Sequence, residues 1–199
     1  MTKHTRSITQ GRRGLLRAAS LLPAIIAGGT MSNEAEAQPA PENTILLDLK
    51  DGRVVIELRR DLAPQHCERI AALAARGFYD NTPFHRVIEG FMAQGGDPTG
   101  RGTGGSELGN LRSEFSDPSR AKFIRGTCGM ARSQDPHSAN SQFFIMFAPA
   151  PGLDGQYTIW GRVISGMDAV DKIKRGDGPN GVVTRDPDRI RRMRPGNAA

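Results

Sequence analysis

The chain has 199 residues, 37% of them hydrophobic, and a formal net charge of +6. That length suits one domain with a substantial core and is short for two. Half of the positive excess lies in residues 1–37, where five basic residues face two acidic ones, so the remainder is only weakly basic. It lacks a basic stripe with interleaved aromatic residues, which argues against nucleic acid as a partner.

The first 37 residues are predicted to be a cleavable export signal. Residues 11–17 (GRRGLLR) resemble the twin-arginine motif, in which two arginines precede a short apolar stretch. The apolar stretch at 18–29 is shorter than the roughly 20 residues that span a bilayer, and AEA at 35–37 fits a small-x-small cleavage site. We therefore expect export machinery as a partner and a mature chain that begins near Gln38 in the periplasm or outside the cell. A disordered basic tail and an uncleaved anchor are the alternatives.

A short polar linker at 38–43 leads into a predicted β-hairpin. Apolar runs at 44–49 and 54–58 flank the sequence KDGR. An Asp-Gly pair between two apolar runs is a strong hairpin signal. The domain is therefore expected to begin with two antiparallel strands.

The first predicted helix runs from Pro64 to about Gly77, since proline suits the first turn of a helix and glycine its end. Its apolar face carries Cys67, Ile70, Ala71 and Ala74. The other cysteine, Cys128, lies in a predicted strand. Cysteines inside apolar elements are more often buried small hydrophobes than a disulfide, although export would permit a Cys67–Cys128 bridge.

Two short strands around a turn are predicted at 84–94, and a long glycine-rich loop follows at 95–109. The sequence GRGTGG at 100–105 has the composition of a phosphate cradle. A loop of that kind follows an apolar strand and opens a helix. This loop follows Asp97-Pro98 and leads into a polar segment, so a structural loop is favoured over phosphate binding.

The C-terminal half is predicted to hold four more strands and a second helix. The strands are placed at 122–130, 141–147, 157–164 and 189–193. A polar loop at 132–140 separates the first two of them. Met167, Val170 and Ile173 mark a short amphipathic helix that ends at Gly176. Many short strands with two helices predict a mainly β protein, a closed β-barrel capped by helices.

The chain lacks the common sequence motifs of hydrolases and metalloproteases. It contains neither Gly-x-Ser-x-Gly nor His-Glu-x-x-His, and its four histidines are scattered. We expect no metal and no cofactor, and a His85/His137 metal or base site is the alternative. Arg86 among aromatic residues, with Gln94 and Gln142 near it, is the most unusual feature. Its alternative interpretation is a surface charge beside core aromatics.

Three collinear sequence blocks resemble the signatures of the cyclophilin family of peptidyl-prolyl cis-trans isomerases. The blocks are FHRVIEGFMAQGGD at 84–97, GMAR at 129–132 with SQFFI at 141–145, and LDGQY at 153–157 with WGRV at 160–163. The resemblance implies an isomerase domain at 44–195, folded as an eight-stranded antiparallel β-barrel capped by two α-helices, with an active groove on its outer face. Residues 196–199 are expected to be a flexible C terminus.

The resemblance also implies a function and a set of site residues. The chain is expected to rotate X-Pro bonds in proline-containing peptides and in folding proteins of the cell envelope, and to act as a monomer. Arg86 would donate to the proline nitrogen, and the backbone at Arg132 would bind the residue before proline. Expected in catalysis are Arg86, Phe91, Gln94, Phe144 and Leu153. Expected in substrate binding are His85, Met92, Ala131, Arg132, Ser133, Gln142 and Tyr157.

Departures from the best-known family pattern lead to further expectations. Gly152 stands where cyclosporin-sensitive members have tryptophan, so the chain lacks a large contact and a donor, and we expect weak cyclosporin binding. Tyr157 stands where many members have histidine, which argues against an imidazole at that position. The alternative function is a proline-binding chaperone or scaffold module with little catalysis.

Overall fold

The computed structural model describes residues 39–198, and the predicted signal peptide at 1–37 lies outside this range. Eight strands and two α-helices follow one another along this part of the chain. The strands are β1 (Thr44–Leu49), β2 (Gly52–Leu58), β3 (Arg86–Ile88), β4 (Met92–Gly95), β5 (Thr127–Met130), β6 (Phe143–Met146), β7 (Ile159–Ser165) and β8 (Arg192–Pro195). The helices are α1 (Pro64–Ala75) and α2 (Met167–Asp171).

All eight strands belong to one antiparallel sheet in the order β3-β4-β6-β5-β7-β2-β1-β8. The segments that precede its two end strands meet. The amide of Phe84 donates to the carbonyl oxygen of Asp188 at 2.9 Å, and the amide of Ile190 donates to that of Thr82 at 3.0 Å. The sheet therefore curls round until its ends touch, which confirms the predicted barrel.

The predicted hairpin is confirmed, with Leu49 of β1 opposite Gly52 of β2. Alternate side chains of these strands point inward because successive residues of a strand face opposite sides. They enter a single apolar core inside the barrel, which also holds Phe143 and Trp160. The inward residues of the hairpin are Ile45, Leu47, Leu49, Val54, Ile56 and Leu58.

Helix α1 begins at Pro64, as predicted, and the remote carboxylate of Glu114 caps its first turn. The Glu114 carboxylate accepts the amides of Gln65 at 3.2 Å and His66 at 3.1 Å. It also lies 2.6 Å from Nδ1 of the buried His66 ring. These contacts satisfy amides that a helix start leaves without partners, so they fix α1 over one end of the barrel.

The two cysteines are buried and not bonded to each other, as the apolar pattern favoured. The thiol of Cys67 donates to the carbonyl oxygen of Trp160 at 3.1 Å. Burial raises the pKa of Cys67 to about 12 and also raises the pKa of Cys128. Both therefore pack as small hydrophobic residues.

The largest differences from the sequence prediction lie at three element boundaries. The strand predicted at 122–130 is β5, which starts only at Thr127 because Gly126 has a φ of +83° and turns the chain. Helix α2 ends at Asp171 rather than at Gly176. The last strand is Arg192–Pro195 because residues 188–190 bond to the segment before β3 instead.

The C-terminal segment also differs in detail. Residues 196–198, predicted as part of a flexible tail, form the 3-10 turn Gly196–Ala198. Within residues 39–198, no helix combines the length and the apolar character needed to cross a bilayer.

Candidate active site

A second apolar cluster lies on the outer face of the sheet, separate from the barrel core. The strands β4, β5 and β6 are buried on both faces, so their outward side chains are also covered. The cover consists of loops and the short 3-10 turn Pro151–Leu153 rather than an α-helix, and it leaves a groove. The buried members of this outer cluster are Met92, Phe123, Phe144, Met146 and Ile159, and Phe91, Ala131, Leu153 and Tyr157 pack against them partly exposed.

Four residues form one row across the outer face. Arg86 of β3 pairs with Gln94 of β4, Gln94 pairs with Phe144 of β6, and Phe144 pairs with Gly129 of β5. Directly paired residues of an antiparallel sheet point to the same face. Strand register therefore brings together residues that are far apart in sequence.

A chain of hydrogen bonds fixes the polar end of this row. Nη1 of Arg86 donates to Oε1 of Gln94 at 3.2 Å, and Nε2 of Gln94 donates to Oε1 of Gln142 at 3.0 Å. Nε2 of Gln142 then donates to the carbonyl oxygen of Gly104 at 2.8 Å. The side-chain oxygen of Gln94 therefore faces Arg86, and the side-chain oxygen of Gln142 faces Gln94.

Arg86 has a second anchor, which the sequence analysis did not identify. Its Nε donates to the carbonyl oxygen of Asn180 at 2.9 Å. Nη2 of Arg86 has no hydrogen-bond partner within residues 39–198. The guanidinium is thus held at two nitrogens and keeps N–H donors for a ligand.

The apolar pocket beside Arg86 has a volume of about 180 Å³. A glycine outside the lining leaves room for one of its walls, the Phe144 ring. A Cβ at Gly129 would lie 2.4 Å from Cζ of Phe144, so only glycine lets that ring stack on Phe123 at 5.7 Å. Tyr157 meets Phe144 edge-on at 5.9 Å. The lining residues are Arg86, Phe91, Met92, Gln94, Ala131, Arg132, Phe144, Leu153 and Tyr157.

The side chain of Arg132 ties together two loops of the groove wall. Its Nη1 donates to the carbonyl oxygen of Ser133 at 2.9 Å, and its Nη2 donates to that of Gln156 at 3.1 Å. Its guanidinium carbon lies 4.4 Å from the centre of the Tyr157 ring. The family resemblance assigned a role only to the backbone here, whereas the side chain also orders the wall.

A larger polar cavity of about 520 Å³ continues the groove beyond Arg132. Gln94, Ala131 and Arg132 line both cavities. Ser133 and Gln142 line only the larger one, so they lie beside the apolar pocket rather than in it.

The glycine-rich loop that borders the larger cavity is built around a carboxylate of the protein itself. The amides of Gly102, Thr103 and Gly104 donate to Oδ2 of buried Asp97 at 2.6, 3.1 and 3.2 Å. Burial raises the pKa of Asp97, but these hydrogen bonds outweigh it and the net pKa is lowered. The amides that a phosphate would need are therefore occupied, and the loop is structural, as favoured.

The structure places His85, which was expected to bind substrate, away from the lining of the groove. Its side chain is buried, lines neither cavity, and has no hydrogen-bond partner for either ring nitrogen within residues 39–198. His85 lies just before β3, and its ring packs against the glycine-rich loop, where a Cβ at Gly102 would lie 3.3 Å from Nε2 of His85. Burial lowers the pKa of His85, which favours a neutral, structural residue.

Acidic, histidine and cysteine side chains do not gather into a metal site in the described part of the chain. No group of three or more such residues lies close enough together within 39–198 to hold an ion. Ser113 and His137 lie 3.2 Å apart at the surface, but Asp135 contacts the backbone amide of His137 rather than its ring. This pair therefore lacks the oriented base of a nucleophilic site.

Curated relatives of the chain carry isomerase names. A probable peptidyl-prolyl cis-trans isomerase of Brucella suis is 48% identical over 186 residues, 88% of this chain and 93% of the relative. The peptidyl-prolyl cis-trans isomerase-like 1 protein of Gibberella zeae is 44% identical over 130 residues, 65% of this chain and 80% of the relative.

Solved structures agree with these relatives. A Cryptosporidium parvum cyclophilin, crystallised in the presence of the dipeptide Ala-Pro, has a TM-score of 0.68 at 32% identity and covers 75% of this chain and 96% of its own. A cyclophilin from Hirschia baltica has a TM-score of 0.67 at 26% identity, over 78% of this chain and 74% of its own. The sequence model of the family "Cyclophilin type peptidyl-prolyl cis-trans isomerase/CLD" matches residues 44–194. With the barrel, the outer groove and the fixed arginine, these matches establish that the chain belongs to the cyclophilin-type peptidyl-prolyl cis-trans isomerases, the enzymes that isomerise X-Pro peptide bonds.

Proposed function

We propose that the outer groove catalyses X-Pro rotation by presenting Arg86 to the proline nitrogen beside an apolar pocket. The proposal rests on the hydrogen bonds of the Arg86 guanidinium. It is anchored through Nε and Nη1 and has no protein partner at Nη2 within residues 39–198. It also borders the 180 Å³ pocket, so a donor and a site for an apolar ring lie side by side.

The reaction itself requires only selective binding of a twisted amide. Amide resonance gives rotation a barrier of roughly 18–20 kcal/mol, and uncatalysed X-Pro exchange takes tens to hundreds of seconds. A turnover of about 10 per second requires roughly a thousandfold gain, or about 4 kcal/mol. In the twisted state the proline nitrogen regains its lone pair. A donor aimed at that nitrogen binds the twisted amide more tightly than the planar one and lowers the barrier.

The apolar pocket contributes in two ways. Phe91, Met92, Phe144 and Leu153 line it, together with the edge of Tyr157. They would hold the proline ring, so that the rest of the peptide rotates against a fixed ring. They also exclude water, and the twisted amide, which is less charge-separated than the planar one, is stabilised by an apolar site. Gln94 would orient Arg86 through the 3.2 Å hydrogen bond.

The residues before proline would extend into the larger cavity. Ala131 and Arg132 border both cavities, and Ser133 and Gln142 line the larger one. The cavity wall is mostly uncharged and rich in hydroxyl and amide groups, which suits an extended peptide backbone. The substrate class is therefore proline-containing peptides and folding proteins. Arg132 would keep the groove wall in place through its bonds to Ser133 and Gln156.

The direct test is an isomerisation assay on an X-Pro peptide, by protease coupling or by NMR exchange. Wild-type protein should accelerate exchange. Arg86→Ala should lower kcat/KM by about 100-fold or more, the effect seen when one transition-state donor is removed. Arg86→Lys should recover little of it, because lysine lacks the rigid fork of donors.

A matched control is Arg192→Ala, which removes an exposed arginine from β8 and should leave kcat/KM unchanged. If wild-type protein does not accelerate exchange, the enzymatic proposal is wrong and a proline-binding scaffold is favoured instead. Full activity of Arg86→Ala would leave the enzyme but remove the assigned mechanism.

We also infer that the enzyme works outside the cytoplasm, in the cell envelope or beyond it. The support is the sequence at 1–37, with its paired arginines, its short apolar stretch and its AEA site. The test is to fractionate cells that express the full chain and to sequence the N terminus of the exported form. We expect a start near Gln38, and an Arg12→Lys/Arg13→Lys variant should stay in the cytoplasm. A periplasmic protein that still begins at Met1 would contradict cleavage.

A further inference from the structure

We propose that the loop at residues 176–184, hereafter the 176–184 loop, positions Arg86 for catalysis, with Asp177 and Asn180 as positioning residues. The inference rests on the proposed role of Arg86 and extends it to a segment outside the groove lining. Neither cavity is lined by this loop. Among the residues that line the pocket, the loop hydrogen-bonds to Arg86.

The loop is docked along the free edge of the sheet. β3 is an end strand, with β4 as its one neighbour in the sheet order. On its other side, the amide of Gly176 donates to the carbonyl oxygen of Val87 at 2.9 Å, and the amide of Val183 donates to that of His85 at 3.0 Å. These bonds bracket Arg86, so the loop supplies backbone partners that an edge strand would otherwise lack.

The loop reaches Arg86 because its backbone lies unusually close to β3. Asn180 has a φ of 56° and Gly181 a φ of 78°, the left-handed region that favours asparagine and glycine. A Cβ at Gly181 would lie 2.3 Å from Cγ1 of Ile88. This tight turn brings the carbonyl oxygen of Asn180 to 2.9 Å from Nε of Arg86.

Asp177 closes the loop at its base. One carboxylate oxygen accepts the amide of Thr184 at 2.8 Å, and the other accepts its hydroxyl at 2.8 Å. The amide of Gly178 donates to the carbonyl oxygen of Val182 at 2.9 Å. Together these bonds fix the distance between the two ends of the loop, and with it the position of the Asn180 carbonyl.

The consequence for Arg86 follows from the planarity of the guanidinium. Gln94 holds Nη1 and Asn180 holds Nε, and two fixed nitrogens of a planar group set the direction of the third. If the loop moves, Arg86 keeps only its bond to Gln94 and regains rotamer freedom. The pocket that binds proline is untouched, so the loss should fall on kcat rather than on KM.

The experiment compares Asp177→Ala and the milder Thr184→Val with wild type. Thr184→Ser, which keeps the hydroxyl, is the matched control for the second, and Asp51→Ala in the β1–β2 turn is the control for loss of one exposed negative charge. Three quantities are measured: kcat and KM for an X-Pro peptide, the thermal midpoint, and the ¹H–¹⁵N signal of the Arg86 Nε–H group. That signal is assigned by its loss in Arg86→Lys.

We expect Asp177→Ala to lower kcat by ~10-fold, with KM changed by less than about twofold, and to shift or broaden the Nε–H signal. Thr184→Val should have the same effects on a smaller scale, and both controls should match wild type. An unchanged kcat and an unchanged Nε–H signal in a folded Asp177→Ala protein would overturn the inference. An inactive wild type would instead overturn the proposed function, and the Nε–H signal would still decide whether the loop positions Arg86.

Discussion

The two faces of the sheet differ in how their side chains are packed, and Phe143 and Phe144 illustrate the difference. These neighbours in β6 point to opposite sides. Phe143 is fully buried in the barrel, with ring centres of Tyr79 and Trp160 at 5.6 and 5.7 Å. Phe144 is buried in the outer cluster and forms part of the pocket wall. One ring fills a closed core, and the other shapes an open groove.

This difference shows what each face requires of the sequence. The interior needs apolar volume, and side chains of similar size can replace one another at modest cost. The outer face needs particular groups at particular positions: a guanidinium at Arg86, an amide at Gln94 and a missing side chain at Gly129. It is covered by loops, so part of its apolar surface stays available to a ligand. Substitutions in the interior should therefore mainly lower stability, whereas substitutions on the outer face should mainly lower activity.

The largest expected effects come from truncating the two phenylalanines one at a time. Phe143→Ala should reduce the free energy of unfolding by about 3–5 kcal/mol, the usual loss for a buried phenylalanine. Phe144→Ala should reduce it by about 1–2 kcal/mol, because the space it leaves opens into the solvated pocket. Its kcat/KM should fall about tenfold or more. Urea denaturation and the X-Pro assay measure the two quantities, and each variant is the control of the other. Equal losses of stability with no change in activity would remove the distinction between the faces.

A gain of function should be possible on the outer face without disturbing the core. Gly152 is exposed, and a Cβ there would contact nothing within 4 Å. We expect wild-type protein to bind cyclosporin weakly and Gly152→Trp to bind it about tenfold more tightly, because a large aromatic contact is worth about 1–2 kcal/mol. Titration calorimetry measures both affinities, with Gly152→Ala as the matched control.

Two outcomes would contradict this prediction. Tight stoichiometric binding by wild type would mean that the missing indole is unimportant. Unchanged binding by a folded Gly152→Trp protein would mean that the groove rim differs elsewhere from the cyclosporin-sensitive pattern. The unfolding midpoint should stay within a few degrees of wild type in either variant, since no core contact is altered.

The smallest expected effect is a loss of stability in mild acid, caused by two buried histidines. Burial lowers the pKa of both His66 and His85 in the folded protein. In the unfolded chain they titrate near their usual value of about 6.5. Below about pH 6.5 the unfolded state therefore binds more protons than the folded state, and stability falls as pH falls. We expect a loss of about 1 kcal/mol between pH 7 and pH 5.

Urea denaturation at the two pH values measures this loss. His85→Gln should reduce it, whereas His137→Gln, at an exposed loop position, should leave the profile as in wild type. The carboxylates whose pKa values are lowered, such as Asp80 and Asp97, lose their contribution only below about pH 4, so they do not obscure the histidine effect. A profile unchanged by His85→Gln would contradict the assignment.

Much of the fold was predictable from local pattern. The Asp-Gly turn between two apolar runs gave the hairpin, and Pro64 marked the start of α1. The start of β5 was less predictable, because Phe123 and Ile124 continue the apolar pattern of the strand toward the N terminus. The positive φ of Gly126 and the bond from the Phe123 amide to Asp154 at 2.7 Å turn that segment aside. Such breaks depend on contacts between distant residues.

The family resemblance pointed to Arg86, Phe91, Gln94, Phe144 and Leu153, and the structure gathers these five around one pocket; their catalytic roles stay a prediction. His85 was included because it lies in the same sequence block as Arg86, but its buried ring lines neither cavity. The carbonyl oxygen of Asn180 was missed because a backbone atom leaves no residue-type signal. Only the Asn180-Gly181 pair, typical of a tight turn, was visible in the sequence.

The sequence by itself determined the residue types and their order: an arginine flanked by strand residues, glutamines able to orient it, aromatic side chains to bind a ring, and an export-like leader. Tertiary structure decided which of them meet. Register across β3, β4, β6 and β5 brought Arg86, Gln94, Phe144 and Gly129 into one row, and the closing of the sheet brought the 176–184 loop onto the edge of β3. The physical reason is that pairing and curvature of a sheet are long-range properties, which depend on how the whole chain buries its apolar surface.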